Sequence, residues 1–293
     1  MKTRHSFGGG WTDKKLELLA RYLAEYMKIF KNNPRAKYYT TYYIDGFAGT
    51  GFRQSKADPE GGLFNDIEAE NFQKGSPIIA LETDSPFDRY IFIETKKAFI
   101  KELEELRQSY PERSIEIVAE DSNEFLQRWC KAMNANKKRA VIFLDPYGGQ
   151  VAWETIKRIA DTRAIDLWLL FPLGQAVNRM LTYREPDPAW AKKLDLIFGT
   201  EKWRSEFYGG SKNGYHQSSL FGEEQEVEKC TSFQGIKDFF IKRLDSVFTA
   251  VAEPRPLYNG KNIPIYLLCF AAGNPKGATP AVKIANHLLQ KKI

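Results

Sequence analysis

Short apolar runs recur along the chain, each closed by an acid, a proline or a glycine turn, and the segments between them carry apolar residues at helical spacing. The first periodic stretch places Leu16, Leu19, Leu23 and Met27 on one helical face, with Thr12 as a cap and Asn32, Asn33 and Pro34 as the stop. Tyr42, Tyr43 and Ile44 then read as the end of a buried strand. Asp45, followed by Gly49 and Gly51, reads as the turn that leaves it. Residues 53–75 are polar and broken by Pro59, Gly61, Gly62 and Gly75, which marks an inserted loop. Ser76 and Pro77 form a helix start, and a second strand follows at 89–94.

From there the alternation is regular: helix 95–109, strand 114–121, helix 122–134, strand 140–146, helix 152–161, strand 165–172. Strands alternating with helices predict an α/β fold, a parallel sheet covered on both faces. Residues 175–232 break the rhythm, with Trp190, Trp203, Tyr208, Tyr215 and Phe221 among many charges. They read as a second insertion, either framing a substrate entrance or forming a small helical subdomain with its own apolar core. After a helix near 234–248, two strand-like runs flank the short connection Gly260 to Asn262, so they pair antiparallel. No repeat or linker divides the chain, and residues 1–293 read as a single domain.

Composition narrows the partners. At 43% hydrophobic residues the chain can bury a substantial core. No apolar stretch approaches the roughly 20 residues of a membrane span, and the start lacks the apolar region of a signal peptide, so a soluble cytoplasmic protein is expected. Cys130, Cys230 and Cys269, like His5, His216 and His287, are scattered and support neither a disulfide framework nor a metal site. A net charge of +6 permits a nucleic-acid partner. The basic clusters Lys28, Lys31, Arg35, Lys37 and Lys137, Lys138, Arg139 precede strands, however, and fall away from the expected site, where they read as solvated charge.

The candidate chemistry lies at the strand ends. A glycine turn after a first strand lets a backbone approach a ligand, although a tight turn alone would explain two glycines equally well. Asp45, Glu94 and Asp121 with Ser122 end three successive strands. This order of elements resembles the class I S-adenosylmethionine-dependent methyltransferases. The resemblance implies a Rossmann-like, mostly parallel seven-stranded sheet with a terminal antiparallel hairpin and helices on both faces. It implies S-adenosyl-L-methionine as cofactor, held by the turn of Asp45, Phe47, Gly49 and Gly51, by Glu94 at the ribose and by Asp121 and Ser122 at the adenine. The interval from the turn to Glu94 exceeds the usual distance of about 20 residues, and residues 53–75 supply the excess.

Phe47 stands where that family has its first glycine, and the resulting Phe-Ala-Gly-Thr-Gly is similar to amino-methyltransferases acting on nucleobases. Those enzymes follow the fourth strand with an aspartate, asparagine or serine, two prolines and an aromatic; here Asp145, Pro146, Tyr147 and Gly148 follow it. The resemblance assigns Asp145 and the Pro146 carbonyl to the N–H groups of an exocyclic amine and Tyr147 to stacking on an extruded base, with Phe171 and Pro172 as a neighbouring wall. The missing second proline brings the motif closer to the form in tRNA guanine N2-methyltransferases. The widest resemblance, through FGGGWTDKKLELLARYL, YYIDGFAGTG, GSPIIALE, FLDPYGGQVAWETI and YLLCFAAGNPKG, is to the three-Cys-motif partner (TcmP) proteins. It implies a methyltransferase-like fold and a three-cysteine-motif protein as partner, and leaves the substrate open. Two functions follow: methylation of an exocyclic amine on a base of RNA or DNA, or a non-catalytic, partner-dependent subunit of the same fold. A dinucleotide-dependent oxidoreductase shares the glycine turn, but the terminal hairpin and the Asp-Pro-Tyr-Gly motif argue against it.

Overall fold

The computed structural model describes residues 10–50, 75–210 and 227–291. Helix α1 (Gly10–Asn32) leads into β1 (Thr40–Asp45), and α2 (Ser76–Leu81) precedes β2 (Arg89–Ile93). Then come α3 (Lys97–Ser109), β3 (Ile115–Val118), α4 (Ser122–Ala132), β4 (Lys138–Leu144), α5 (Trp153–Asp161) and β5 (Ile165–Phe171). A π-helical turn at Leu173–Val177 opens the second inserted segment, which holds α6 (Asn178–Met180), α7 (Pro188–Phe198), α8 (Trp203–Phe207) and the strands β6 (Tyr208–Gly210) and β7 (Val227–Lys229). The chain closes with α9 (Phe233–Asp245), β8 (Ala250–Val251), β9 (Arg255–Tyr258), β10 (Pro264–Ala272) and α10 (Ala278–Gln290). α1 begins ahead of Thr12, which lies inside its first turn, and Gly75 rather than Ser76 occupies the cap position of α2.

The main sheet runs β3-β2-β1-β4-β5-β10-β8, with β9 also on β10. β1 to β5 are parallel, and β10 is antiparallel to β5. This is the Rossmann-like α/β plan, with a terminal antiparallel hairpin. It has eight strands because the strand before β10 is interrupted. β8 pairs with Ala271 and Ala272, whereas β9 pairs with the Pro264–Leu268 end. The cause is local. The Glu253 N–H donates to Asn286 Oδ1 at 2.9 Å, and Pro254 next to it has no N–H to give to the ladder.

Alternation along the central strands feeds two apolar layers. Ile44, Ile142, Leu144, Leu167 and Leu169 face one layer, which α4, α5, α7, α8 and α9 cover. Tyr43, Val141, Phe143, Trp168 and Phe270 face the other, beneath α1, α2, α3 and α10. Helix α10, unforeseen in the sequence reading, buries Ala281, Ala285, Leu288 and Leu289 there. The described part of the second inserted segment is packed, not appended: Leu194, Ile197, Phe198, Trp203 and Phe207 join the first layer. The Phe198 ring meets Phe207 at 5.7 Å and Phe239 of α9 at 5.2 Å. Arg243 of α9 donates from Nε to the Phe198 carbonyl at 3.0 Å, satisfying an orphan carbonyl at the end of α7.

β1 lies between β2 and β4, and from there the chain order runs outward in opposite directions. That reversal is a topological switch point. Open α/β sheets bind ligands outside the carboxyl ends of the strands at such a crevice.

Candidate functional site

The turn after β1 is built by the strand it leaves. Asp45 is fully buried; its Oδ1 accepts the Phe47 N–H at 3.2 Å and its Oδ2 the Tyr43 hydroxyl at 3.3 Å, and the Ser76 hydroxyl bonds it as well. Burial pushes its carboxyl up to about 7, against these hydrogen bonds. Asp45 therefore braces the turn from within. The Gly46 N–H donates to the Phe143 carbonyl at 2.9 Å and the Ala48 N–H to the Ile93 carbonyl at 3.0 Å, so the turn is stitched to both neighbouring strands. A Cβ at Gly46 would meet Leu144 Cδ2 at 2.4 Å and Ser122 Oγ at 2.8 Å, so a larger residue there would have to displace both side chains. Gly49 has φ +61° and open space where a side chain would start. Phe47 packs against the first apolar layer. Gly51 lies outside the described residues.

Glu94 reaches back to this turn. Its Oε2 accepts the Gly49 N–H at 3.1 Å, and its Oε1 accepts the N–H groups of Thr95 and Lys96 at 2.8 and 2.9 Å. Asp121 caps α4, with Oδ1 accepting the N–H groups of Asn123 and Glu124 at 2.8 and 3.2 Å. Ser122 is buried beside Gly46, and its Oγ has no hydrogen-bond partner among the described residues. An orphaned hydroxyl next to a glycine turn is costly enough to call for a reason.

The loop after β4 faces the same crevice. Asp145 is 18% exposed, and its Oδ2 is ion-paired with Lys15 of α1, whose side chain is only 2% exposed. Oδ1 makes no hydrogen bond among the described residues. Pro146 is buried, and Tyr147 is 55% exposed. Gln150 Oε1 accepts the Tyr147 N–H at 3.0 Å, and Gly148 takes φ +69° to make that return. Asn123 ties this loop to α4: its Nδ2 donates to the Gln150 carbonyl at 3.0 Å, and its Oδ1 accepts from Ala152 N–H and the Thr155 hydroxyl, both at 2.9 Å.

Phe171 is elsewhere. Its ring is 2% exposed and stacks on Phe240 at 3.8 Å, inside the core, so it offers no face to a substrate as the wall expected for it would. Lys15 and Asn123 are the residues that sequence reasoning missed. Lys15 carried a signal: it precedes Leu19 by four and so lies on the buried stripe of α1, where a lysine needs a partner. Among the described residues no group of histidine, cysteine and carboxylate side chains could hold a metal ion, and no helix is long and apolar enough to cross a membrane.

No family model and no curated protein matches the chain. Among solved structures it is similar to protein LPL1258 from Legionella pneumophila, 13% identical, with a TM-score of 0.51 over 97% of this chain and 92% of that one. It is also similar to an S-adenosylmethionine-dependent methyltransferase from Clostridium acetobutylicum, 9% identical, with a TM-score of 0.37 over 88% of this chain and 92% of that one. At 13% identity the first likeness is one of fold.

Proposed function

We propose that the chain is an S-adenosylmethionine-dependent methyltransferase acting on an exocyclic amine of a nucleobase in RNA or DNA. The observation that carries this reading is the placement of Asp45, Glu94, Asp121 and Asp145 around the switch point, with Asp145 Oδ1 left to accept while Lys15 holds Oδ2. The residues fit the cofactor. The turn at Gly49 admits a close approach, the Ser122 hydroxyl lacks a partner among the described residues, and Asp121 spends its cap on one oxygen. Glu94 uses three of the roughly four acceptor sites of a carboxylate, which leaves one for a ribose hydroxyl.

The cofactor supplies a methyl group already activated by its sulfonium, so the protein's part is holding and orienting. Asp145 Oδ1 accepts an N–H of the amine and turns its nitrogen toward the turn after β1. Tyr147, exposed on the rim, presents a ring to the base. Because the Lys15 pair fixes the Asp145 carboxylate, orientation is set before the substrate arrives.

A second reading, a partner-dependent subunit bound to a three-cysteine-motif protein, draws on a different observation. Asp45, Glu94 and Asp121 all make hydrogen bonds that brace their own loops, which a scaffold of this fold would also need. Calorimetry with S-adenosylmethionine, then transfer of a labelled methyl group into total RNA and DNA with and without that partner, separates the two. Binding and transfer are expected. Binding without transfer under either condition leaves the second reading, and no binding overturns the cofactor assignment.

A further inference from the structure

The opposite edge of the sheet is concave and basic. Where β1 and β2 begin, a polar depression of about 470 Å³ opens between Lys37, Tyr38, Asp88, Arg89 and Ser114. Parallel pairing gathers the basic residues that stand far apart in sequence. Thr40 is registered with Lys138 and Thr41 with Arg139, while Tyr42 faces Arg89. The Thr40 N–H donates to the Lys137 carbonyl at 2.8 Å, which brings Lys137 beside the stretch from Arg35 to Lys37 that enters β1.

Much of this charge is uncompensated. Lys28 pairs with Glu25 and Arg113 with Glu112, but Lys31, Arg35, Lys37, Arg89 and Lys137 make no ion pair among the described residues. Asp88, the acid of the lining, has its Oδ2 engaged by the Thr41 N–H and hydroxyl at 2.7 and 2.8 Å. Aromatic rings stand among the cations. Tyr38 is 88% exposed, and the Arg139 guanidinium lies over the Tyr39 ring at 3.8 Å. A tyrosine so exposed contributes nothing to the core.

We infer that this amino edge binds a single-stranded segment of nucleic acid, its phosphates on Lys31, Arg35, Lys37 and Lys137 and a base on Tyr38. Cations tracking a backbone beside an accessible ring are the two components of sequence-tolerant single-strand binding. A lipid surface would use the same charges, but the concave, hydroxyl-bearing lining gives it no apolar anchor; an acidic protein would leave Tyr38 without a stacking partner. The inference shares a class of partner with the proposed function and not a site, so binding measured without cofactor tests it by itself.

The test is fluorescence anisotropy with labelled oligouridine and oligothymidine of about 12 nucleotides, within the roughly 4–16 that single-strand modules cover. The triple variant Lys31→Glu/Arg35→Glu/Lys37→Glu is expected to bind at least about tenfold more weakly, with the salt slope smaller by about two, since each single-strand phosphate contact contributes roughly 0.7. Tyr38→Ala is expected to lose roughly fivefold or more with the slope unchanged. Thermal melting checks that the variants fold; should the triple variant not fold, Lys37→Gln/Lys137→Gln replaces it, with a smaller loss of affinity and slope expected. Affinity unchanged in these variants, no binding by the unmutated protein at low salt, or equal competition by anionic vesicles or polyglutamate would each overturn the inference.

Discussion

The two edges of the main sheet differ in which charges cluster there. Asp45, Glu94, Asp121 and Asp145 gather at the carboxyl edge, whereas Lys37, Arg89, Lys138 and Arg139 gather at the amino edge. The difference follows from how a strand–helix unit is built. Each helix starts at the carboxyl edge and offers unpaired N–H groups there; each ends at the amino edge and leaves carbonyls. Glu94 and Asp121 accept the amides at the starts of α3 and α4. At the other end, Lys31, Arg107 and Lys131 stand in the last turns of α1, α3 and α4. Much of the acid at the candidate site is therefore there for the helices as well as for a ligand. Asp145 is the exception among the acids that reach the crevice, because its partner is a charged side chain from another element, whereas Asp45 is buried among hydroxyls and a turn amide.

That exception is the sharpest place to break the comparison. Under the proposed function, Asp145→Ala should abolish methyl transfer into nucleic acid while leaving the calorimetric affinity for S-adenosylmethionine nearly unchanged, since that proposal puts the amine on Oδ1 and the cofactor on the turn after β1. Equal loss of both would mean that Asp145 serves the loop as the other acids do.

Lys15 comes next. Removing one partner of a buried ion pair costs about 3–5 kcal/mol, and the partial exposure of Asp145 reduces that to about 2 kcal/mol for Lys15→Met, measured by urea unfolding. Transfer should fall at least tenfold. Lys15→Met/Asp145→Asn should recover stability but not transfer, which separates the pair's two roles.

How much of this was legible depends on range. The strand ends were readable because an apolar run stopping at an acid is a local signal, and Asp45, Glu94 and Asp145 each close such a run. Lys15 meets Asp145 across 130 positions, and lysine by type reads as solvent. The interruption at Pro254 needed the pairing with β10 to become visible, and Ser76, read as a cap, turned out to bond Asp45. Phe171 ends its strand just as the acids do, yet a ring in that position finds Phe240 before it finds a ligand.

Glu94→Ala should weaken cofactor binding by roughly 1–3 kcal/mol through loss of the proposed ribose hydrogen bond and a loosened Gly49. Glu94→Gln, which keeps an acceptor, should lose less in the same calorimetric titration. Were the two equal, the carboxylate's charge would be the only thing that matters.

The smallest effect at any one step of pH belongs to a buried acid near the amino edge. Asp166, in β5, accepts the Tyr22 hydroxyl on Oδ2 at 2.7 Å, and burial pushes its carboxyl up to about 7, with that hydrogen bond and the nearby Arg139 opposing. The folded protein thus holds a proton that the unfolded chain releases near pH 4. This contribution to stability is fully present below about pH 4 and is lost as the pH rises through about 7, with a slope approaching 1.4 kcal/mol per pH unit. Asp45, at the other edge and shifted the same way by burial, contributes a slope of the same sign. Asp166→Asn keeps an acceptor for Tyr22 and cannot ionise, so its stability should fall less steeply between about pH 4 and 7 than that of the unmutated protein, as read by urea unfolding across that range. Methyl transfer should be untouched at fixed pH, because Asp166 lies near the amino end of its strand, away from the crevice. Parallel stability curves for the two proteins would show that Asp166 is ionised in the fold, with Arg139 outweighing its burial.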